Sequence, residues 1–388
     1  MATIKSIEAR KILDSRNKET LEVKVITDEG MMAVDSVPSG TSTGSFEAAA
    51  IIPENAIANV NNIIAPKLIG LDPTDQEKID QTMIELDGTD DKSKLGANAI
   101  LGVSLAVSRA AAMSKKMPLY AYLNELYRQI HKVNIEPSIP TPMMVMIEGG
   151  KHGDNGICIQ EFLCITSLEN GKKIWKSVKK VLENNNLETK LGLEGGFTPR
   201  LNYDEDAIRF IIEAIQQEKL SVDKDVKLGL DIAANNCQME HRNLMELLEH
   251  YPIYSLEDPV AENEWPHWAQ LKLELDSRGK AYLLIGDDLF VTDHKRLEKG
   301  INDLTANGII IKVNQVGTLS ETLEVIAMAN KAKYTHILSH RSGETMDTYI
   351  SDLAVATAAK FIKSGAPYAS ERVIKYNRIQ EIAKEMEI

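Results

Sequence analysis

The sequence predicts an α/β fold, a (β/α)8-type barrel preceded by a small N-terminal α+β domain. Three observations predict it. First, short apolar runs end in single polar groups: Lys227-Leu-Gly-Leu in Asp231, Ile253-Tyr-Ser-Leu in Glu257, Tyr282-Leu-Leu-Ile-Gly in Asp287, Gly308-Ile-Ile-Ile in Lys312 and His336-Ile-Leu-Ser in His340. Runs of this length without alternation are buried parallel strands. Second, the polar ends recur every 25 to 30 residues, the length of one strand-loop-helix-loop unit. Third, the first part of the chain reads as strands followed by helices, the order of an α+β unit. In a barrel, groups at the C-terminal ends of successive strands meet at one mouth.

Residues 1–37 carry three strand signals separated by the turn-like Asp14-Ser-Arg-Asn and Asp28-Glu-Gly, which predicts an antiparallel meander. Pro38 to Ser45 is a polar loop of glycine and hydroxyl residues. Apolar residues at three- and four-residue spacing predict helices over 56–69, 75–86 and 97–115. Pro137, Pro140 and Pro142 predict a stiff linker over 134–142. The expected domains are therefore residues 1–133 and 134–388. In the second, Met143-Met-Val-Met-Ile and Ile157 to Cys164 read as strands around a glycine-rich loop, Gly149 to Gly156, which carries His152. Gln160 and Glu161 are neighbours on the second strand, so one of them faces the core and needs a partner. Gly192-Leu-Glu-Gly-Gly sets Glu194 in a glycine-flanked turn.

The net charge of −13 argues against nucleic acid as a partner, because phosphate backbones are bound by basic faces. The lysines between Lys172 and Lys180 read as a solvated helix face. The three cysteines form no C-x-x-C pair, and their odd number suggests no disulfide framework, so a reducing compartment is expected. No apolar run approaches membrane-spanning length and Met1 to Arg10 lacks a signal-peptide core, so the expected location is cytoplasmic.

Asp231, Glu257 and Asp287 are carboxylates from three consecutive strand ends. Converging anions need a cation, and an all-oxygen donor set suits Mg2+ better than Zn2+. Lys312 lies one strand further on, where burial and a nearby cation would lower its pKa and make it a base, with a salt bridge to Asp287 or Glu257 as the competing reading. Glu194 in a closed site would stay protonated and act as an acid, beside Glu161. His340-Arg341-Ser342-Gly343 offers a cation, a hydroxyl and main-chain N–H groups to a phosphate. Together these describe a Mg2+-dependent lyase acting on a small phosphorylated carboxylate.

The chain also resembles the enolase family over nearly its whole length. The resemblance rests on Ser39-Gly-Thr-Ser-Thr-Gly, Lys94-Leu-Gly-Ala-Asn-Ala, Gln160-Glu-Phe, Glu194-Gly-Gly, Ser255-Leu-Glu-Asp-Pro, Gly286-Asp-Asp-Leu-Phe, Ile311-Lys-Val-Asn-Gln and Ser339-His-Arg-Ser-Gly-Glu-Thr. It implies dehydration of 2-phosphoglycerate to phosphoenolpyruvate, the phosphopyruvate hydratase reaction of glycolysis, with two Mg2+ ions. By that resemblance Lys312 takes the C2 proton and Glu194 protonates the departing hydroxyl, with Glu161 beside it. Asp231, Glu257 and Asp287 hold one metal and Ser42 helps hold the other. Arg341 and Ser342 bind phosphate, Lys363 the carboxylate side, and His152, Gln160 and His340 line the pocket. A homodimer is also implied, weakened because Glu381 stands where the family has an arginine facing the equivalent of Glu22. Other departures are Leu193 for an aspartate, Asn235-Asn236 for a Ser-Glu pair, Val145 and Glu148 for two asparagines, and shortened loops after Glu47 and between Asp231 and Glu257. The alternatives these raise are a related lyase for another small phosphorylated or phosphonylated acid, and a non-catalytic binding protein.

Overall fold

The computed structural model describes residues 2–40, 46–237 and 239–387. Strands β1 (Ile4–Leu13), β2 (Glu19–Thr27) and β3 (Met32–Ser36) form the expected antiparallel meander in the order 1-2-3. The first turn is held by the Asp14 carboxylate, which accepts the main-chain N–H of Arg16 and of Lys18. Leu21, Val23 and Val25 point from β2 into the core and are fully buried. They meet the alanine-rich helix Ala97–Ser114. A Cβ on Gly102 would lie 2.6 Å from a Val23 methyl, so glycine is what lets sheet and helix approach. By length and composition this helix could cross a membrane, contrary to the expectation of no such run, but 78% of it is buried inside the protein as a core helix. The helix expected over 56–69 is instead Pro53–Asn59, a π-helical turn Val60–Ile64 and Ala65–Leu68. Pro66 offers no N–H to the preceding turn, which breaks the regular ladder.

The barrel strands are β4 (Thr141–Glu148), β5 (Glu161–Ile165), β6 (Lys227–Asp231), β7 (Ile253–Glu257), β8 (Leu283–Gly286), β9 (Gly308–Ile311), β10 (Thr335–Ser339) and β11 (Phe361–Lys363). They close in the order β10-β11-β4-β5-β6-β7-β8-β9. Val145, Leu163, Ile285, Ile310, Ile337 and Phe361 belong to one buried apolar cluster drawn from these strands. The barrel differs from eight parallel strands in one respect: β5 runs antiparallel to both β4 and β6. Its first residue, Glu161, therefore stands at the same mouth as the last residues of its neighbours. The strand expected from Ile157 starts only at Glu161. Residues 157–160 fold back on the glycine loop, where Gly149 N–H donates to the Gln160 carbonyl and Gly150 N–H to that of Ile157. The proline linker is also shorter than expected, since Thr141 and Pro142 already belong to β4.

One expectation is overturned. Cys158 and Cys237 form a disulfide, 79 residues apart in sequence with a Cα–Cα distance of 5.3 Å, and Cys164 is the free, buried thiol. The bond ties the segment after the glycine loop to the loop after β6, and it removes the cysteine argument for a reducing compartment. In the chain-entropy view a closed loop of this length is stabilised by about 4 kcal/mol. Reduction is therefore expected to lower the melting temperature; an unchanged melt with the thiols shown to be free would contradict a stabilising role.

Candidate active site

Strand register assembles the site. Glu148, Glu161, Asp231 and Glu257 are Cα partners across β4, β5, β6 and β7, so four carboxyls share one rung at the barrel mouth. The Lys363 ammonium, from the end of β11, lies 2.8 Å from both Glu257 oxygens, 3.2 Å from Asp231 and 3.1 Å from Glu161. Burial opposes its charge, but the three carboxylates more than offset this and hold it well above the usual lysine value. The carboxyls are less well served. Burial, with like charge from neighbouring carboxyls and despite Lys363, pushes Asp231 up to about 6 and Glu257 well above its usual value.

Lys312 follows the last residue of β9 and caps the short helix Val313–Val316. Its main-chain N–H donates to the Thr292 hydroxyl, and its ammonium lies 2.5 Å from an Asp287 oxygen. The salt bridge weighed from sequence is therefore formed. Burial pulls the Lys312 pKa down, but Asp287 raises it by more, so the net direction is upward, opposite to the expected lowering. Asp287 is correspondingly held down by Lys312 against the effect of burial.

Glu194 is also corrected. It sits in a tight turn closed by a Gly192 N–H to Gly196 carbonyl bond, with Gly195 at φ +86°. An oxygen of its buried carboxyl lies 2.9 Å from His340 Nε2. Arg372 donates to His340 Nδ1, so that nitrogen is an acceptor and the ring hydrogen is on Nε2, the nitrogen nearer Glu194. Burial, opposed by Glu194, keeps His340 below its usual value. Burial alone would raise Glu194, but His340, His152 and Arg372 outweigh it and hold the carboxylate ionised rather than protonated. His152 lies 3.4 Å from Glu161 and 3.9 Å from Glu148; burial disfavours its charge, yet Glu161, Glu194 and Glu148 lift it to about 9.

The other expected residues meet on the same cavity, of about 340 Å³. Gln160 donates to Asp231 at 3.3 Å. The Arg341 guanidinium pairs with Glu47 at 3.0 Å and donates to Asn314, and Ser342 lies beside it on the cavity wall. Glu257 is the exception: it stands behind Lys363 and does not line the cavity. Ser42 lies outside the described residues. Sequence reasoning missed several groups. In the sequence Glu148 is only a departure from the family pattern; its place opposite Glu161 follows from the reversal of β5 and leaves no sequence signal. Asp258, next to Glu257, accepts the main-chain N–H groups of Asp287 and Asp288 and so fixes the turn after β8. Glu47 and Arg372 carried no local signal. Asn235 bridges Glu262 and Asp288, joining the loops after β6, β7 and β8, and Leu193 is 40% exposed at the cavity.

These residues suit a hard divalent cation. The donors are all carboxylate oxygens, and burial, with like charge from neighbouring carboxyls, raises the pKa values of Asp231, Glu257 and Asp258. Asp258, Asp287 and Asp288 each bring an oxygen within 4.8 Å of the others. Asp231 and Glu257 converge instead on the Lys363 ammonium, so a cation there competes with it. Asp231 and Asp288, each near 6, have folded values above their unfolded ones. Their stabilisation is complete below the ordinary aspartate range and is lost as pH rises through about 6. Mg2+ is therefore expected to raise the melting temperature more at pH 7.5 than at pH 5. An equal rise at both would contradict binding at these carboxyls.

Comparison with known families gives two matches that together span almost the whole chain. A family model described as "Enolase, N-terminal domain" matches residues 4–123, and one described as "Enolase, C-terminal TIM barrel domain" matches residues 136–243 and 237–387.

Proposed function

The chain belongs to the enolase family and is a lyase of that superfamily, and on that premise we propose that it catalyses the reversible, Mg2+-dependent dehydration of 2-phosphoglycerate to phosphoenolpyruvate. The observation that carries the reading is the convergence of Lys312 and Glu194 on one cavity that also holds the Arg341–Ser342 corner and the carboxyls of Glu161, Asp231 and Asp287.

In the dehydration direction Lys312 Nζ, once neutral, takes the C2 proton, and Glu194, once protonated, gives its proton to the C3 hydroxyl, which leaves as water as the C2–C3 double bond forms. The C2–H bonding pair becomes the new π bond, so the step balances. Arg341 and Ser342 hold the phosphate and Lys363 the carboxylate side, with His152, Gln160 and His340 framing the pocket. Asp231, Glu257 and Asp287 would hold Mg2+, which supplies positive charge against the substrate carboxylate. A charged Lys312 and an ionised Glu194 are the states required to start the reverse, hydrating direction. A cation that neutralised Asp287 would weaken the pair that keeps the proton on Lys312 and so would favour dehydration. We place the reaction in the cytoplasm, as part of glycolysis, because this substrate is a charged phosphate ester, and propose a homodimer as the assembly.

The test is phosphoenolpyruvate formation from 2-phosphoglycerate, followed by absorbance during Mg2+ titration. Turnover that is lost on chelation and restored by Mg2+ is expected; no product from a folded, Mg2+-saturated protein would refute the assignment. The exposed, apolar Leu193 at the cavity favours one second reading, a different small phosphorylated or phosphonylated acid. A substrate panel in which such an acid gives the higher kcat/KM would establish it.

A further inference from the structure

Glu148 ends β4 with no exposed surface. One of its carboxyl oxygens accepts the main-chain N–H of Gly196 at 2.7 Å and of Glu194 at 3.1 Å, and the other lies 3.2 Å from the Glu194 nitrogen. The turn is wrapped closely around this carboxyl. A Cβ on Gly192 would lie 2.5 Å from one oxygen, and one on Gly196 would lie 3.1 Å from Cγ and from the other. The main chain of Glu148 is tied in as well, its N–H donating to Phe197 and its carbonyl accepting from Asn155. Glu148 is thus the post on which the Glu194 turn is hung.

Building on the lyase reading, we propose that Glu148 is the positioning residue of the acid: its buried carboxyl fixes the Glu194 turn and couples by charge to Glu194 itself. The groups facing Glu148 are Glu194, His152 and Glu161; those facing Glu194 are His340, His152, Arg372, Lys363, Tyr376 and Glu148. Burial, then Glu194, push Glu148 up to about 8, while Glu194 is held well below its usual value. Near neutrality the two carboxyls therefore carry one proton between them, resting mainly on Glu148. States with that proton on Glu194 have the same proton count, so the pair keeps an acid available until its last proton leaves near pH 8. Without Glu148, Glu194 alone loses its proton at much lower pH.

The experiment is the pH dependence of dehydration in wild type, Glu148→Gln and Glu148→Ala. Glutamine retains an acceptor for the two N–H groups and removes the titration; alanine removes both. Glu148→Gln is expected to melt like wild type and keep KM. Its kcat at pH 8 should fall about tenfold, with the alkaline limb at least about one pH unit lower. Glu148→Ala is expected to lose stability as well. A folded Glu148→Gln enzyme with the wild-type pH profile would overturn the proposal, and so would equal losses of kcat and stability in both variants. Infrared difference spectra of the metal-free chain separate this from failure of the lyase reading, because they need no turnover. A carboxylic-acid band titrating near pH 8, absent in Glu148→Gln and shifted down in Glu194→Gln, is expected. No such band, or one indifferent to Glu194→Gln, would overturn the coupling even if the wild-type protein turned over no 2-phosphoglycerate.

Discussion

Replacing Lys312 with alanine is expected to lower kcat for dehydration by about a thousandfold or more, the upper range for loss of a positioned base, while KM changes little. The reason is positional. Lys312 is the charge at the end of the Ile309–Ile311 run, and its main chain is pinned by Thr292. Its ammonium lies against Asp287, the residue whose charge a cation would neutralise. Arginine would keep the pair with Asp287 but not the ability to lose a proton. Lys312→Arg is therefore expected to be nearly as inactive as the alanine variant, while folding like wild type. Kinetics of both variants beside a thermal melt check this. An arginine variant with near wild-type kcat would show that Lys312 acts only as a cation.

The second large effect is on stability. Lys363→Met is expected to destabilise the metal-free protein by about 3–5 kcal/mol at pH 7.5, the range for breaking a buried ion pair from one side. Three buried carboxylates, Glu257, Asp231 and Glu161, would lose the ammonium they share. The loss should shrink at pH 5, because Asp231 (near 6) then takes up a proton in the folded state and no longer needs a counter-charge. Mg2+ should recover part of it at pH 7.5. Denaturant unfolding at the two pH values, with and without Mg2+, measures all three effects. A pH-independent loss would mean that methionine disturbs packing rather than charge.

What the sequence revealed and what it hid follow from the same physics. A β-branched run such as Ile309–Ile311, with Lys312 just beyond it, has few explanations besides a buried strand ending at a site, so the barrel and its polar rim were readable. A buried strand carries no mark of its direction, so the reversal of β5, which puts Glu161 on the rim beside Asp231, was not. Charge states depend on neighbours that only the fold supplies. Lys312 is raised rather than lowered because Asp287 is its partner, and Glu194 is held low because His340, His152 and Arg372 are brought against it from distant parts of the chain. The Cys158–Cys237 bond was hidden for the same reason, its two halves being brought together by loops on different strands.

Lys312 and Glu194 divide the labour, Lys312 acting at C2 and Glu194 at the leaving hydroxyl. Proton NMR of 2-phosphoglycerate in D2O with Mg2+ measures it. Wild type is expected to exchange the C2 proton for deuterium, Glu194→Gln to exchange it with little net dehydration, and Lys312→Ala to do neither. Exchange that persists in Lys312→Ala, or is lost in a folded Glu194→Gln protein that still binds substrate, would contradict the account.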